Sequence, residues 1–279
     1  MLLQVIEFIK METENLKESV QKYWDTASCG TEFIKEQKFS QQYFEAIEEF
    51  RYKIEPEIFS FAQFTRFKDK KVLEIGVGAG TDFLQWVRAG SQAYGIDLTN
   101  EAIKNVQERL NIYGLSAKEL KIADAENLPY KDNFFDLVYS WGVIHHSPDT
   151  LKCIKEIIRV VRPEGVIKLM VYNRYSLFAF YRWLIEGLLK GKPFRSLKNI
   201  LFYNQESLGT KAYTVTEIKK ILQDLPVKIK MIKSTVSNHD LLYYKPLGFK
   251  FFAYCAACLL GWNRVGWFMT IELIKKEDF

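Results

Sequence analysis

Short apolar runs alternate with amphipathic segments from residue 70 to residue 172, a pattern typical of βαβ units. The apolar runs that predict buried strands cover residues 71–77, 93–97, 120–124, 135–140 and 166–171. The segments with helical spacing cover about 81–88, 101–113 (with Asn100 as the N-cap) and 151–161. Because predicted strands and helices alternate, we expect a parallel sheet with helices on both faces.

The chain has a different pattern on either side of this core. Residues 1–66 are polar-rich with helical spacing and predict a helical cap. After the core, an apolar stripe over 177–189 predicts an amphipathic helix, and residues 227–233 and 268–274 alternate like strands. The expected fold class is α/β: a Rossmann-like, seven-stranded, mostly parallel sheet with an N-terminal helical cap and a helical insertion before the last strand.

Composition narrows the classes of protein. A chain of 279 residues, 48% hydrophobic and 26% charged, can bury a sizeable core. Its net charge of +5 comes from interspersed residues, so a dense basic stripe for nucleic acid is not indicated. The N-terminus lacks the basic region of a signal peptide, and no apolar run reaches the ~18–20 residues of a membrane span. We therefore expect a cytoplasmic protein.

The cysteines do not predict a metal site. Cys255 and Cys258 have CxxC spacing, but a structural zinc site normally needs a second pair of ligands, and Cys29 and Cys153 do not supply one. We expect no metal, and we expect Cys255 and Cys258 to be buried thiols in an apolar helix.

A glycine-rich turn after the first predicted strand is the most specific signal. The run reads Glu74-Ile-Gly76-Val-Gly78-Ala-Gly80-Thr81-Asp82. Glycines at the carboxyl end of a first parallel strand let the backbone turn tightly and approach a ligand with no Cβ in the way. The dinucleotide pattern G-x-G-x-x-G would need a third glycine where Thr81 stands, so a pyrophosphate-binding turn is not indicated.

The second predicted strand ends in Asp97, a carboxylate that can accept hydrogen bonds from both hydroxyls of a ribose. Together with Glu74 beside the glycine turn, it favours a ligand that combines a nucleoside with an ammonium-carboxylate end. Helix capping or loop hydration is the structural alternative for Asp97, and also for Asp124 at the end of the third strand.

Four motifs, in order and spacing, resemble the class I S-adenosylmethionine-dependent methyltransferases over roughly residues 70–172. They are the glycine run from Glu74 to Gly80, Asp97, Ala123-Asp124-Ala125-Glu126-x-Leu128-Pro129-Tyr130, and Phe134-Phe135-Asp136-Leu137-Val138. The next segment, Val143-Ile144-His145-His146-x-Pro148-Asp149, is similar to the small-molecule group within that class.

This resemblance implies S-adenosylmethionine as the cofactor and S-adenosylhomocysteine as its product. It implies that the glycines lie under the methionine moiety and ribose, that Asp97 binds the ribose hydroxyls, and that Asp124 accepts from the adenine amino group. The cofactor-binding residues that it implies are Glu74, Gly76, Gly78, Gly80, Thr81, Asp82, Asp97, Leu98, Asp124, Ala125, Trp141 and Val143.

Two histidines are the catalytic candidates. Methyl transfer from a sulfonium needs alignment of nucleophile, carbon and sulfur and, for some acceptors, removal of a proton. His145 and His146 follow the fourth strand, where an acceptor would meet the methyl group, and histidine can act as a base near neutral pH. Packing or capping of the following helix is the alternative for either one.

The class also implies three parts: a lid over residues 1–66, a cofactor-binding core over 67–174, and a C-terminal half over 175–279 with substrate-cover helices. The connection over about 235–265 is unusually long. It carries the aromatic residues Tyr243, Tyr244, Phe249, Phe251, Phe252, Tyr254 and Trp262. We therefore hypothesise a small-molecule acceptor that is hydrophobic or lipid-linked, with a peripheral membrane contact; a buried structural helix is the alternative.

Three other functions compete with this one. A nucleic-acid methyltransferase would be expected to carry an Asn/Asp-Pro-Pro-Tyr loop after the fourth strand, where Ser140-Trp141-Gly142-Val143 stands. A nicotinamide oxidoreductase conflicts with the glycine spacing. A non-catalytic S-adenosylmethionine-binding protein is the third. The sequence does not indicate the atom that is methylated or the oligomeric state.

Overall fold

The computed structural model describes residues 2–26, 28, 30–242, 245 and 247–277; side chains are described from residue 13 onward, except those of residues 247 and 249. Cys29, Tyr243 and Tyr244, named above, therefore lie outside the described residues, as does the side chain of Phe249.

The strands and helices alternate through the middle of the chain. The strands are β1 (Lys71–Ile75), β2 (Gln92–Asp97), β3 (Glu119–Ile122), β4 (Phe135–Trp141), β5 (Val161–Asn173), β6 (Ala212–Tyr213), β7 (Val227–Thr235) and β8 (Phe268–Lys275). The helices are α1 (Leu2–Thr26), α2 (Gln41–Ile54), α3 (Glu57–Ala62), α4 (Thr81–Arg88), α5 (Asn100–Ile112), α6 (Thr150–Val160), α7 (Leu177–Trp183), α8 (Leu197–Asn204), α9 (Val215–Leu222) and α10 (Leu247–Leu260).

The strands form one sheet in the order β3-β2-β1-β4-β5-β8-β7, with the short β6 paired to β5. Among the described strands, only β8 runs antiparallel to its neighbours. The chain order reverses direction across the sheet at β1, which lies between β2 and β4. The crevice at such a switch point, outside the carboxyl ends of the strands, is where open α/β sheets bind ligands.

Helices cover both faces of the sheet. On one face α4, α5 and α7 pack through Phe83, Trp86, Val106 and Phe178. On the other face α6 and α9 pack through buried aliphatic residues. The predicted α/β fold is therefore confirmed, with eight strands rather than seven because the two-residue β6 had no pattern that could be recognised.

Three local predictions need correction. Thr99, not Asn100, caps α5, because the Thr99 hydroxyl accepts from the Ala102 N–H. The predicted helix over 177–189 ends as an α-helix at Trp183 and continues as a π-helical turn over Leu184–Leu188. Cys258 is exposed and Cys255 half-buried, although both were expected to be buried.

None of the helices in the described part of the chain has both the length and the apolar character that a membrane span requires.

One buried cation joins the N-terminal helices to the glycine turn. The Arg109 guanidinium, 1% exposed, donates to the carbonyl of Ala79 (3.1 Å) and the hydroxyl of Thr81 (2.9 Å). It also donates to the carbonyl of Phe44 (2.9 Å) and to the Glu48 carboxylate (2.9 Å) in α2. Because buried charges are tolerated only when paired, this network fixes α2 against the turn after β1.

We predict that Arg109→Met lowers the free energy of unfolding by about 3–5 kcal/mol, since it leaves Glu48 and two backbone carbonyls without their buried partner. Arg88→Met is the matched control: Arg88 also pairs with Glu48 at 3.0 Å but is 36% exposed, so about 0–1 kcal/mol should be lost. Urea unfolding of both variants checks this. Equal losses would contradict the account.

Candidate functional site

A cavity of about 690 Å³ lies at the carboxyl ends of β1, β2 and β4. The N-terminal helices close it from one side, and the segments that follow α8 and precede β8 close it from another. Its wall includes Glu74, Gly76, Gly78, Thr81, Asp82, Asp97, Leu98, Asp124, Ala125, Trp141, Val143 and His146 from the residues predicted by sequence. Gly80 and His145 are not among the lining residues.

The glycine turn passes under the cavity in a conformation that other residues rarely adopt. Gly76 has φ of 78°, and a Cβ there would lie 2.2 Å from a methyl of Val143. Gly78 has φ of 51°, and no heavy atom lies within 4 Å of the place its Cβ would occupy. Gly76 is therefore required by packing, whereas Gly78 leaves open space in the cavity wall where a ligand can approach the backbone. At Gly80 a Cβ would meet Val106 of α5 at 2.9 Å.

Asp97 lies at the tip of β2. One of its oxygens accepts from the Gly78 N–H (3.1 Å), and the other accepts from the N–H and hydroxyl of Thr99 (3.0 and 2.9 Å). Burial raises the pKa of Asp97, and these hydrogen bonds work in the opposite direction. The carboxylate thus connects the glycine turn to the start of α5.

Lys17 of α1 approaches the cavity beside Asp124. Its ammonium lies 2.7 Å from the carboxylates of Asp124 and Glu126. Gln21, one turn later in α1, donates to the carbonyl of Leu98 at 3.0 Å. The N-terminal helix therefore covers the end of the cavity that β2 and β3 form.

Two buried acids lie at the other side of the glycine turn. Asp82 accepts from Arg51 (3.2 Å), Tyr52 (3.2 Å) and Tyr139 (2.9 Å), which satisfy its charge. In contrast, Glu74 Oε2 has no hydrogen-bond partner among the described residues, although it is buried. Burial and the nearby Asp82 raise the pKa of Glu74 well above its ordinary value. A cationic ligand group in the cavity would supply the missing partner.

Trp141 is the last residue of β4, and it lines the cavity. Its indole N–H donates to the Glu55 carboxylate at 2.6 Å, so a residue of the N-terminal cap fixes the ring. Phe61 and Phe268 pack against the same indole, with ring centroids 5.8 Å away in both cases.

The two histidines have different surroundings. His145 is fully buried between His146 and Tyr172, and neither of its ring nitrogens has a hydrogen-bond partner among the described residues. Burial lowers the pKa of His145 well below its ordinary value, and the neighbouring His146 and Lys211 lower it further. His145 is therefore held neutral inside the protein.

His146 lines the cavity, and its two ring nitrogens contact different groups. Its Nδ1 lies 2.9 Å from the Ser207 hydroxyl and 3.0 Å from the Thr210 hydroxyl, which donates to the Ser207 carbonyl (2.7 Å). The other ring nitrogen, Nε2, is next to Glu206. It lies 3.3 Å from the Glu206 carboxylate without good hydrogen-bond geometry.

Glu206 follows α8 and was not predicted from the sequence. It accepts from the Tyr172 hydroxyl at 2.9 and 3.0 Å. Burial alone would raise its pKa, but His146 and Tyr172 lower the pKa of Glu206 below its ordinary value. The carboxylate is thus held in its charged form beside His146.

The cavity wall is acidic overall. Its ionisable residues other than histidine are six acids, Glu55, Glu74, Asp82, Asp97, Asp124 and Glu206, and two bases, Lys17 and Arg51. Such a wall favours a ligand with positive charge and disfavours phosphate groups. S-adenosylmethionine carries a sulfonium and an ammonium group, which fit this charge.

Comparison with known proteins identifies the domain in the middle of the chain. Residues 73–169 match the model of a methyltransferase domain. The chain is 38% identical over 112 residues to norajmaline N-methyltransferase of Rauvolfia serpentina, a match that spans 39% of this chain and 38% of that protein. It is 28% identical over 188 residues to phthiotriol/phenolphthiotriol dimycocerosates methyltransferase 1 of Mycobacterium ulcerans, a match that spans 67% of each.

Solved structures share the fold. A SAM-dependent methyltransferase from Aquifex aeolicus superposes with a TM-score of 0.53 at 16% identity, covering 85% of this chain and all of that one. The sarcosine dimethylglycine methyltransferase structure from Galdieria sulphuraria gives a TM-score of 0.55 at 14% identity over 95% of this chain.

The core of this chain is therefore a class I S-adenosylmethionine-dependent methyltransferase domain, and the cofactor of that class is S-adenosylmethionine. The predicted class and cofactor are confirmed. Because the chain spans only 38% of the first relative described above, its own reaction and acceptor are taken up as a proposal.

Glu57 gives the cap a measurable pH dependence. Its Oε1 is buried without a partner among the described residues, and burial, with Glu55 and Asp240 nearby, raises its pKa from 4.5 to about 7. Between these two values the folded protein keeps a proton that the unfolded chain has lost, so stability falls as the pH rises through this window.

We predict that Glu57→Gln removes this fall and makes the protein more stable than the wild type above pH 7 by about 2 kcal/mol. Urea unfolding at a series of pH values measures it, with the exposed Glu49→Gln as the control that should behave as the wild type. If the free energy of unfolding of Glu57→Gln depends on pH as that of the wild type does, the prediction is wrong.

Proposed function

We propose that this chain transfers a methyl group from S-adenosylmethionine to a small acceptor that is hydrophobic or lipid-linked. The main support for this proposal is that the wall of the cavity has two chemically different parts. One part has the glycine turn, Glu74, Asp97 and Asp124 in its wall, and the other has aromatic residues such as Phe178, Trp267 and Phe268. A polar cofactor and an apolar acceptor can therefore meet within one cavity.

The residues of the first part fit the cofactor. When bound, the cofactor supplies an activated methyl group on a positively charged sulfur. Asp97 would bind the ribose hydroxyls, Gly78 would let the backbone approach the ligand, and Glu74 would offer its oxygen that has no partner among the described residues to the ammonium group. Leu98 and Ala125 would flank the adenine ring, whose amino group would donate to Asp124.

The cap and the C-terminal half complete the enclosure. We take residues 1–66 as the lid, since Lys17, Gln21, Trp24 and Arg51 line the cavity from helices before the core. We take residues 67–174 as the cofactor-binding core and 175–279 as the half that covers the acceptor. Enclosure excludes water and aligns the two reactants, which is most of what this displacement requires.

His146 is the catalytic candidate that the geometry favours over His145. Its ring lines the cavity, and the Glu206 carboxylate, 3.3 Å from Nε2, would stabilise the imidazolium that forms when His146 takes the acceptor's proton. His145 has no lining atom in the cavity, so we assign it the role of packing beneath His146.

The names of relatives support a small-molecule acceptor. Besides the two enzymes above, tocopherol O-methyltransferase of Arabidopsis thaliana is 32% identical over 114 residues, which span 40% of this chain and 33% of that protein. A nucleic-acid acceptor is the second candidate, but six carboxylates in the cavity wall would repel a phosphate backbone.

The test is transfer of labelled methyl groups from S-adenosylmethionine to mixed hydrophobic acceptors, read as label that partitions into organic solvent. We predict that His146→Gln lowers kcat by about 10²–10⁴-fold. It should leave cofactor affinity unchanged, because Nε2 faces Glu206 and not the glycine turn. Glu206→Gln should act in the same direction with a smaller loss.

His145→Gln is the matched control and should retain most of kcat, since His145 does not reach the cavity. If the label appears only in nucleic acid, the acceptor is a nucleic acid and the proposed small-molecule acceptor is wrong. Equal loss in the His145 and His146 variants would overturn the assignment of His146.

A further inference from the structure

Helix α10 buries small residues and exposes large apolar ones, which is the reverse of an ordinary surface helix. The small residues Ala253 and Ala257, one turn apart, are buried against the protein. The large apolar residues Phe252 and Leu259 face outward and are 76% and 86% exposed. A helix that is apolar on all sides belongs in a core or in lipid, yet this one covers the protein surface.

The exposed apolar surface continues onto neighbouring helices. Helix α10 packs against α7, and α8 packs against α7 and the π-helical turn that follows it. These elements, with the loop over 189–196 that joins the π-helical turn to α8, expose Phe180, Leu189, Phe194 and Tyr203, and Phe194 is fully exposed. We call the outward side of α7, the π-helical turn, the loop over 189–196, α8 and α10 the helical layer. Apolar surface of this extent marks an interaction site.

Positive charge is concentrated in the same layer. Residues 177–204 and 247–260 together contain six lysines and arginines and one acid, Glu186, so their net charge is +5. The whole chain also has a net charge of +5, so the rest of the chain has no net charge. Aromatic and aliphatic side chains among basic ones are what an interfacial helix presents to anionic lipid.

The dimensions fit a helix lying on a bilayer and not crossing it. Fourteen residues of α-helix extend for about 21 Å, which is shorter than the ~30 Å hydrocarbon core. Large apolar side chains on the outer side would reach the boundary between headgroups and acyl chains, while basic side chains contact lipid phosphates.

The inner side of the layer forms a wall of the cavity. Phe178 of α7, Glu206 after α8, and His239 before α10 line it. A single layer of helices thus separates the surface that would touch the bilayer from the part of the cavity that we assign to the acceptor.

We propose that the helical layer is the surface by which this protein binds the face of an anionic membrane. The idea that the bound membrane also supplies the acceptor rests on the function proposed above. Binding to the membrane does not depend on that function.

The test is flotation of the full chain with vesicles of phosphatidylcholine alone or of an equal mixture of phosphatidylcholine and phosphatidylglycerol. Binding should be strong only with phosphatidylglycerol and should weaken as salt rises from about 0.1 to 1 M. Phe252→Glu with Leu259→Glu should lower the partition coefficient by about a hundredfold. Leu151→Glu with Val215→Glu adds the same charge on α6 and α9, across the sheet, and should retain most of the binding.

Each outcome decides the proposal. No binding to the anionic vesicles, or equal loss in both double variants, would overturn it. A dimer in solution that the Phe252→Glu, Leu259→Glu variant dissociates would assign the layer to a second copy of the chain instead. Calorimetric binding of S-adenosylmethionine to the same samples separates a failure of this proposal from a failure of the proposed function, because neither double variant changes a residue of the cavity wall.

Discussion

Two buried charges beside the start of α4, the Asp82 carboxylate and the Arg109 guanidinium of α5, must be paired, and most of their partners come from the N-terminal cap. Asp82 is satisfied by Arg51, Tyr52 and Tyr139, and Thr81 shares Arg109 with Phe44 and Glu48. An unpaired charge at either place would cost several kcal/mol. The pairing therefore fixes the cap over the switch point of the sheet, and it converts an open crevice into an enclosed cavity.

The enclosed cavity has a charge that changes along its length. Around Glu74, Asp97 and Asp124 the wall is acidic, and Glu74 has an oxygen left without a partner among the described residues. Towards Tyr172, Phe178 and Trp267 the wall is aromatic, with Glu206 and His146 as its polar pair. This arrangement suits a cation at one end and an apolar molecule at the other, with one titratable pair near the place where they meet.

The sequence was sufficient for what depends on local pattern. The strands β1, β2 and β4 lie within two residues of their predicted ends, and the tight turn at Gly76 and the acid at Asp97 lie in the cavity wall. Contacts between distant residues could not be predicted. Lys17 reaches Asp124 across 107 residues, and Glu206 reaches Tyr172 across 34, with no motif to mark either. Strand β5 begins at Val161, before its predicted start, because Val161 pairs with Phe135 ahead of an irregularity in the β4–β5 pairing.

The most direct test is a calorimetric titration of the cofactor-free protein with S-adenosylmethionine, S-adenosylhomocysteine and NAD. We expect micromolar binding of both sulfur compounds and none of NAD. Asp97→Ala should lose about a hundredfold or more in affinity, and the exposed Asp224→Ala should bind as the wild type does. If neither sulfur compound binds, or if Asp97→Ala binds both unchanged, the assignment of this cavity to the cofactor is wrong.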